Sequence, residues 1–248
     1  MPHRVGFDPQ GKGFLGKKKI YTHLVKHCTT PRHTVERNLD VLRRIGIFPM
    51  VEERELTLFV PEEARKKICS FGLEEGNYIV IHPVSRWGFK SWTARHVAQL
   101  IGQLHLLGYG LVLSSGPDLK EKEMIEEILR KVSHVPVLDL SGKITLKELA
   151  ALIEMSQCLI SVDSVPLHIA SALKKPVVAI FGPSSDINWG PWMHPDARVV
   201  AMSISCRPCH LDGCGGSKMS DCLHQLPAAT VLEAVTDLSK LKKETICQ

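Results

Sequence analysis

The stretch Val162-Asp163-Ser164-Val165-Pro166-Leu167-His168-Ile169-Ala170-Ser171-Ala172-Leu173 decides the fold, together with Pro176-Val177-Val178-Ala179-Ile180-Phe181-Gly182-Pro183, which follows after two lysines. It reads as strand end, polar turn, helix, strand and glycine–proline loop. Asp163 and Ser164 close an apolar strand that runs from Cys158 to Val162. Ser164 is a favourable N-cap residue. Pro166 falls in the first helical turn, where its missing N–H costs nothing. The free N–H groups of that turn, with His168 one turn in, suit an anion such as a pyrophosphate. An ordinary βαβ crossover with a well-capped helix carries the same signals, so the rest of the chain must decide.

Working outward, the chain is regular from residue 78 onward. Strands are expected at 78–82, 109–114, 135–140, 157–162, 176–181 and about 197–202. Helices are expected at 93–107, 118–131, 145–155, 165–173 and 227–240. Short apolar strands alternating with helices of this length predict a parallel sheet covered on both faces. Upstream the pattern is weaker. A short strand is expected at Val5-Gly6-Phe7, and a helix over 34–46 from the stripe Val35, Leu39, Leu42, Ile45, ended by Gly46. A strand at 56–60 and a helix from Pro61 to about Ser70, stopped by Gly72, follow.

In open α/β sheets ligands bind outside the carboxyl ends of the strands. Here those ends carry His82-Pro83-Val84-Ser85-Arg86, Ser114-Ser115-Gly116-Pro117-Asp118, Ser141-Gly142-Lys143, Asp163-Ser164 and Gly182-Pro183-Ser184-Ser185. Five hydroxyl- or glycine-bearing loops on one edge make a rim for phosphates and sugars. No G-x-G-x-x-G follows a strand and no G-x-x-x-x-G-K-[ST] occurs, so the dinucleotide fingerprint and the P-loop are both absent.

Charge adds a second theme. Residues 1–50 carry ten Lys and Arg against three acids, a net of +7, while the remaining residues sum to −2. A basic segment on a near-neutral body points to an anionic partner, a solvated basic face being the plain alternative. No run approaches the ~18 apolar residues of a membrane span. No secretory h-region is visible, and the chain is expected in the cytoplasm. A nucleic-acid binder is disfavoured: aromatic residues are 6% of the chain, no RNA-recognition motif occurs and the excess charge sits at one end.

At this point the motifs are familiar. His82-Pro83-x-Ser85-Arg86-x4-Lys90-x-Trp92, Ser114-Ser115-Gly116-Pro117 and Asp163-Ser164-x-Pro166-x-His168-x-Ala170-x-Ala172 through Gly182-Pro183 resemble the C-terminal domain of the lipopolysaccharide heptosyltransferases, nearest to the heptosyltransferase III branch. Residues 75–240 carry the resemblance, and 4–47 resemble the end of the family's N-terminal domain. The resemblance implies an α/β fold of GT-B type: a complete Rossmann-like parallel-sheet domain at 73–248 after a partial N-terminal domain and linker at 1–72. It implies transfer of heptose from ADP-heptose to the inner core of lipid A–core, inverting and metal-independent, at the cytoplasmic face of the inner membrane. Ser85 and Lys90 match the loop that holds the donor diphosphate. Asp163, Ser164 and His168 match the turn at the helix N-terminus, His168 as a neutral donor to phosphate. A carboxylate beside a diphosphate is repelled by it, so Asp163 is expected to orient N–H groups or accept a sugar hydroxyl. Glu121 is the candidate for the ribose hydroxyls, an exposed helix glutamate being its alternative. Lys17, Lys18, Lys19 and Arg32 are expected to face the anionic acceptor. Two departures stand out. Val165 occupies a place where much of the family has glycine. The segment with the family's general base is not found, Asp8 matching a later part of the pattern, so the chain reads as N-terminally truncated. An inactive nucleotide-sugar-binding relic is the rival reading.

Cys206-x2-Cys209-x4-Cys214-x7-Cys222 gathers four thiols in 17 residues. A structural zinc site, free thiols packing a loop, and disulfide or redox chemistry all remain open. No cofactor is required by the chemistry, since Lys90 and the helix terminus can meet the charge that Asp-x-Asp metal sites meet elsewhere.

Overall fold

The computed structural model describes residues 3–8, 20–26 and 28–246, with only the backbone from residue 239 on. Lys17, Lys18 and Lys19 lie outside the described residues. Two short strands, β1 (Val5–Phe7) and β2 (His23–Val25), pair in parallel, and α1 (Thr34–Arg43) follows them. Helix α2 (Glu62–Cys69) leads into the main sheet.

That sheet has six parallel strands: β3 (Tyr78–His82), β4 (Gly110–Leu113), β5 (Leu138–Asp139), β6 (Cys158–Val162), β7 (Val177–Phe181) and β8 (Ala197–Ala201). The crossovers are α3 (Ala94–Leu106), α4 (Leu119–Lys131), α5 (Leu146–Met155), α6 (Val165–Ala172) and, between β7 and β8, the single turn α7 (Asp186–Trp189). The short α8 (Asp221–His224) and the long α9 (Ala228–Ile246) close the chain. The spatial order is β5-β4-β3-β6-β7-β8. The chain therefore runs outward from β3 to one edge, returns, and runs outward from β6 to the other. The crevice between the β3 and β6 exits is the topological switch point, where such sheets bind ligands.

Period-two alternation splits the core into two layers. Ile79 and Ile81, with Leu113, Ile160 and Val178, pack under α3, α4 and α9. Tyr78 and Val80, with Val112, Leu159 and Phe181, pack under α2, α5 and α6. Strands buried on both faces read as unbroken apolar runs, which is why the central four were legible. Each fully buried Leu or Ile side chain contributes roughly 1.5–3 kcal/mol of transfer free energy.

Two expected strands differ. Over 135–140 only Leu138–Asp139 pairs with β4, because Pro136 has no N–H to donate and the strand lies at the sheet edge. Residues 56–60 form no strand. Val60 turns into the core while Leu58 and Phe59 stay exposed. β2 was not expected, since three residues are too few to show a period.

The N-terminal segment docks on the loop after β7. The His33 Nε2 lies 3.0 Å from the Gly190 carbonyl, and its ring stacks 4.5 Å from Trp192. Asn188 Nδ2 donates to the Arg32 carbonyl at 3.0 Å, and Trp192 Nε1 to the Arg54 carbonyl at 2.8 Å.

Candidate functional site

The site lies at the switch point. Asp163 ends β6 and is buried, and Lys90 ends a 3-10 turn, Gly88–Lys90, beyond β3. Lys90 Nζ donates to Asp163 Oδ2 at 2.7 Å, although 73 positions separate them in the chain. Asp163 is thus neutralised by Lys90 and fixes where the ammonium stands. The side chains are 22% and 6% exposed, so the lysine is the more accessible end of the pair.

Ser164 takes the N-cap place of α6 with extended backbone (φ −154°, ψ 173°), yet its hydroxyl makes no capping bond. The expected cap is thus positional only. Ser164 is one of the residues that line a neighbouring cavity. His168, one turn in, is held below its ordinary pKa chiefly by burial, with the Asp163 charge opposing and that of Lys90 adding a smaller push downward. Its ring lies 6.2 Å from that of Trp189, tilted against it. His33 is lowered too, by burial first, with its hydrogen bond to the Gly190 carbonyl opposing.

At the α6 N-terminus lies a cavity of about 320 Å³. Its walls include His82 and Arg86 after β3, Ser115, Gly116 and Pro117 after β4, the start of α5, and Ser164, Val165 and Pro166. Thr145 and Glu148 form a reciprocal capping box that fixes the start of α5, with Leu146 and Leu149 as the apolar wall. Glu121 is 8% exposed and accepts the Gly116 N–H at 2.7 Å. It is a cavity-wall carboxylate, not an exposed helix residue. Burial raises its pKa and the Gly116 N–H opposes that.

Of the expected donor residues, Lys90, Asp163 and His168 come together, and Glu121 and Ser164 line the cavity beside them. Ser85 is buried; its Oγ accepts the Trp87 N–H at 3.3 Å and its backbone N–H donates to Ser91 Oγ at 3.1 Å. Arg32 pairs with Asp40, and Arg43 and Arg54 pair with Glu36. The basic segment is therefore partly compensated from within. Sequence reading missed His82, Thr145 and Leu146 as site residues. The first stood inside a quoted motif, and the others were signalled only by the third strand–helix boundary counted from residue 78.

His82 is buried, with Nδ1 3.0 Å from Ser114 Oγ, and burial drives its pKa down to about 4 from 6.5. A folded-state pKa below the unfolded one means stability is fully present above about pH 6.5 and is lost as pH falls toward 4. A ¹³C-resolved titration of the ring is expected to show a midpoint near 4. A midpoint at the ordinary histidine value would show that water reaches the ring.

The four clustered thiols Cys206, Cys209, Cys214 and Cys222 line one cavity of about 170 Å³. They are free thiols, and among the described residues no three His, Cys, Asp or Glu side chains stand close enough to share a metal ion. Among the described residues no helix is long and apolar enough to cross a membrane.

Comparison with known proteins converges on one family. The profile of glycosyltransferase family 9 (heptosyltransferase) matches residues 1–219. Lipopolysaccharide heptosyltransferase 3 of Escherichia coli is 35% identical over 224 residues, covering 89% of this chain and 64% of that protein. Lipopolysaccharide heptosyltransferase 2 of Salmonella typhimurium is 33% identical over 212 residues, 82% of this chain and 59% of that one. The chain spans about half to two thirds of the length of the curated relatives it matches. The solved structure of E. coli ADP-heptose lipopolysaccharide heptosyltransferase II superposes with a TM-score of 0.75 at 25% identity, covering 98% of this chain and 71% of that one. A family 9 glycosyltransferase from Veillonella parvula shares the fold, with a TM-score of 0.77 at 24% identity, over 96% of this chain and 67% of that one. With the α/β parallel-sheet architecture of the GT-B heptosyltransferases and a family match over most of its length, the chain belongs to glycosyltransferase family 9, the heptosyltransferases.

Proposed function

We propose that this chain carries the donor side of a heptosyltransferase that moves heptose from ADP-heptose to an inner-core sugar of lipid A–core. The observation that carries the reading is the Lys90–Asp163 pair at the switch point, beside the α6 N-terminus and next to the apolar-walled cavity. The cavity would take the adenosine, with Glu121 turned to the ribose hydroxyls. The diphosphate would lie between the helix N-terminus, the Ser164 hydroxyl and Lys90, and His168 would supply one neutral N–H.

The chemistry follows from that placement. As the bond from heptose carbon 1 to the phosphate oxygen breaks, negative charge gathers on the departing ADP. A fixed ammonium and helix N–H groups stabilise that charge more in the transition state than in the ground state. In-line attack by an acceptor hydroxyl from the opposite face would invert the anomeric centre. Because Lys90 and the helix end meet the diphosphate charge, the reading needs no divalent ion. The acceptor would approach from the N-terminal segment at the cytoplasmic face of the inner membrane, with Lys17, Lys18 and Lys19 as its cationic contacts and Arg32 contributing less because Asp40 holds it. We place the donor unit from about Val60, since Val60, Ala64 and Ile68 share the core of the sheet.

The test is calorimetric titration of the chain with ADP, with and without a chelator, followed by incubation with ADP-heptose and lipid A–core. One ADP per chain at an affinity indifferent to the chelator is the expected result, with little or no heptose transfer by this chain alone; an acceptor made heavier by one heptose would show that the catalytic base lies within these residues. Folded protein that binds no ADP defeats the donor-site assignment.

A further inference from the structure

The thiol-rich segment 206–226 takes no part in the reading above, yet it touches both sides of the site. At one end Arg207 Nε donates to the Gly182 carbonyl at 2.8 Å, and its guanidinium pairs with Asp186 at 2.8 Å. The His210 N–H donates to the Pro183 carbonyl at 2.9 Å. At the other end Ser220, only 6% exposed, donates its Oγ to the Phe89 carbonyl at 2.7 Å. The Trp92 indole N–H reaches the Leu226 carbonyl at 3.1 Å. Gly182 and Pro183 follow β7, while Phe89 and Trp92 follow β3. In the sheet these are the two neighbours of β6, whose exit carries Asp163. The segment therefore joins the loops on either side of the strand end where Lys90 meets its carboxylate.

We propose that residues 206–226 act as a strap that sets the position of Lys90, with Ser220 as the positioning residue. The proposal rests on the donor-site reading. Phe89 directly precedes Lys90 in a three-residue 3-10 turn whose residues are half-buried or exposed. Such a turn has little packing of its own to hold it. A lysine carries four rotatable bonds, so the place of its ammonium depends on a fixed backbone and a fixed partner. Asp163 supplies the partner, and Ser220 anchors the backbone. A shift of about an ångström in a charge-stabilising group is enough to cost rate and affinity.

The experiment is ADP calorimetry on the full chain as wild type, Ser220→Ala, Ser220→Thr, Lys90→Gln and the Ser220→Ala/Lys90→Gln double variant, with thermal melts alongside. Ser220→Ala is expected to weaken ADP binding about tenfold. Ser220→Thr, which keeps the hydroxyl, should stay within about twofold of wild type, and Ser220→Ala should add less than about twofold once Lys90 is gone. Should Ser220→Ala fail to fold, Ser220→Cys, which keeps the volume and only a weak donor, takes its place with the same expectation. Equal losses with and without Lys90 would make Ser220 a general packing residue and overturn the strap. So would a Ser220→Ala protein that binds ADP like wild type while Lys90→Gln does not. Wild-type protein that binds no ADP would overturn the donor-site reading itself, and the strap with it.

Discussion

Replacing Lys90 by alanine is expected to weaken ADP binding by about a hundredfold. Two effects add. The first is loss of the ammonium that faces the diphosphate. The second is the carboxylate left behind: Asp163 is 6% exposed, so without Lys90 it is a buried, unpaired negative charge aimed at an anion. Truncating one partner of a desolvated, hydrogen-bonded charge pair costs about 2–5 kcal/mol, and much of that is the penalty on the survivor. Because 1.4 kcal/mol is about tenfold, the lower half of that range gives the hundredfold. The two effects separate in a second variant. Lys90→Ala/Asp163→Asn removes the repulsion and should regain part of the loss, whereas Asp163→Asn alone should weaken binding by displacing Lys90. Unchanged ADP affinity in Lys90→Ala, measured by calorimetry, would remove Lys90 from the site.

The pair also shows where sequence reading stops. Asp163 and Lys90 were each recognisable from their motifs, but a bond across 73 positions is created by the β3–β6 switch, which no local pattern encodes. Without it the aspartate looked misplaced, and a role as orienter of N–H groups was the natural inference. The structure makes it the orienter of an ammonium. Glu121 is a similar case. Its position in the first turn of α4, after the Asp118 N-cap, placed it on the helix, but only the return of Gly116 shows that it faces inward.

The strands were read well because burial on both faces leaves the central four almost wholly apolar, with His82 and Ser161 as buried polar residues. The edges were read less well. Pro136 shortens β5, and the run before Val60 has the composition of a strand without a ladder to join. Charge counting shows the size of the excess but not where it sits. The +7 of residues 1–50 already subtracts Asp40 and Glu36, and the structure shows which cations those acids hold, Arg32 and Arg43. Arg43 and Asp40 are three apart on α1, a spacing that brings side chains together on a helix, so this compensation was open to detection. The Arg54–Glu36 pair, 18 positions apart, was not.

Replacing Trp92 by alanine is expected to destabilise the fold by about 3–5 kcal/mol, the usual cost of emptying a fully buried aromatic site. Trp92 is 0% exposed and packs in the core layer of α3 and α9, and its indole N–H satisfies the Leu226 carbonyl at 3.1 Å. Against a typical total stability of about 5–15 kcal/mol, that is a large fraction. Cavity and hydrogen bond can be weighed separately. Trp92→Phe keeps most of the volume but leaves the Leu226 carbonyl without its donor, which costs about 1–3 kcal/mol. If packing dominates, urea unfolding will place Trp92→Phe well above Trp92→Ala in stability. If the two variants fall together, the bond to Leu226 carries the larger share, and the link between the β3 exit loop and the C-terminal segment is what holds this side of the domain. Losses below about 1 kcal/mol in both would mean that the core closes over the gap, contrary to the dense packing on which the argument rests.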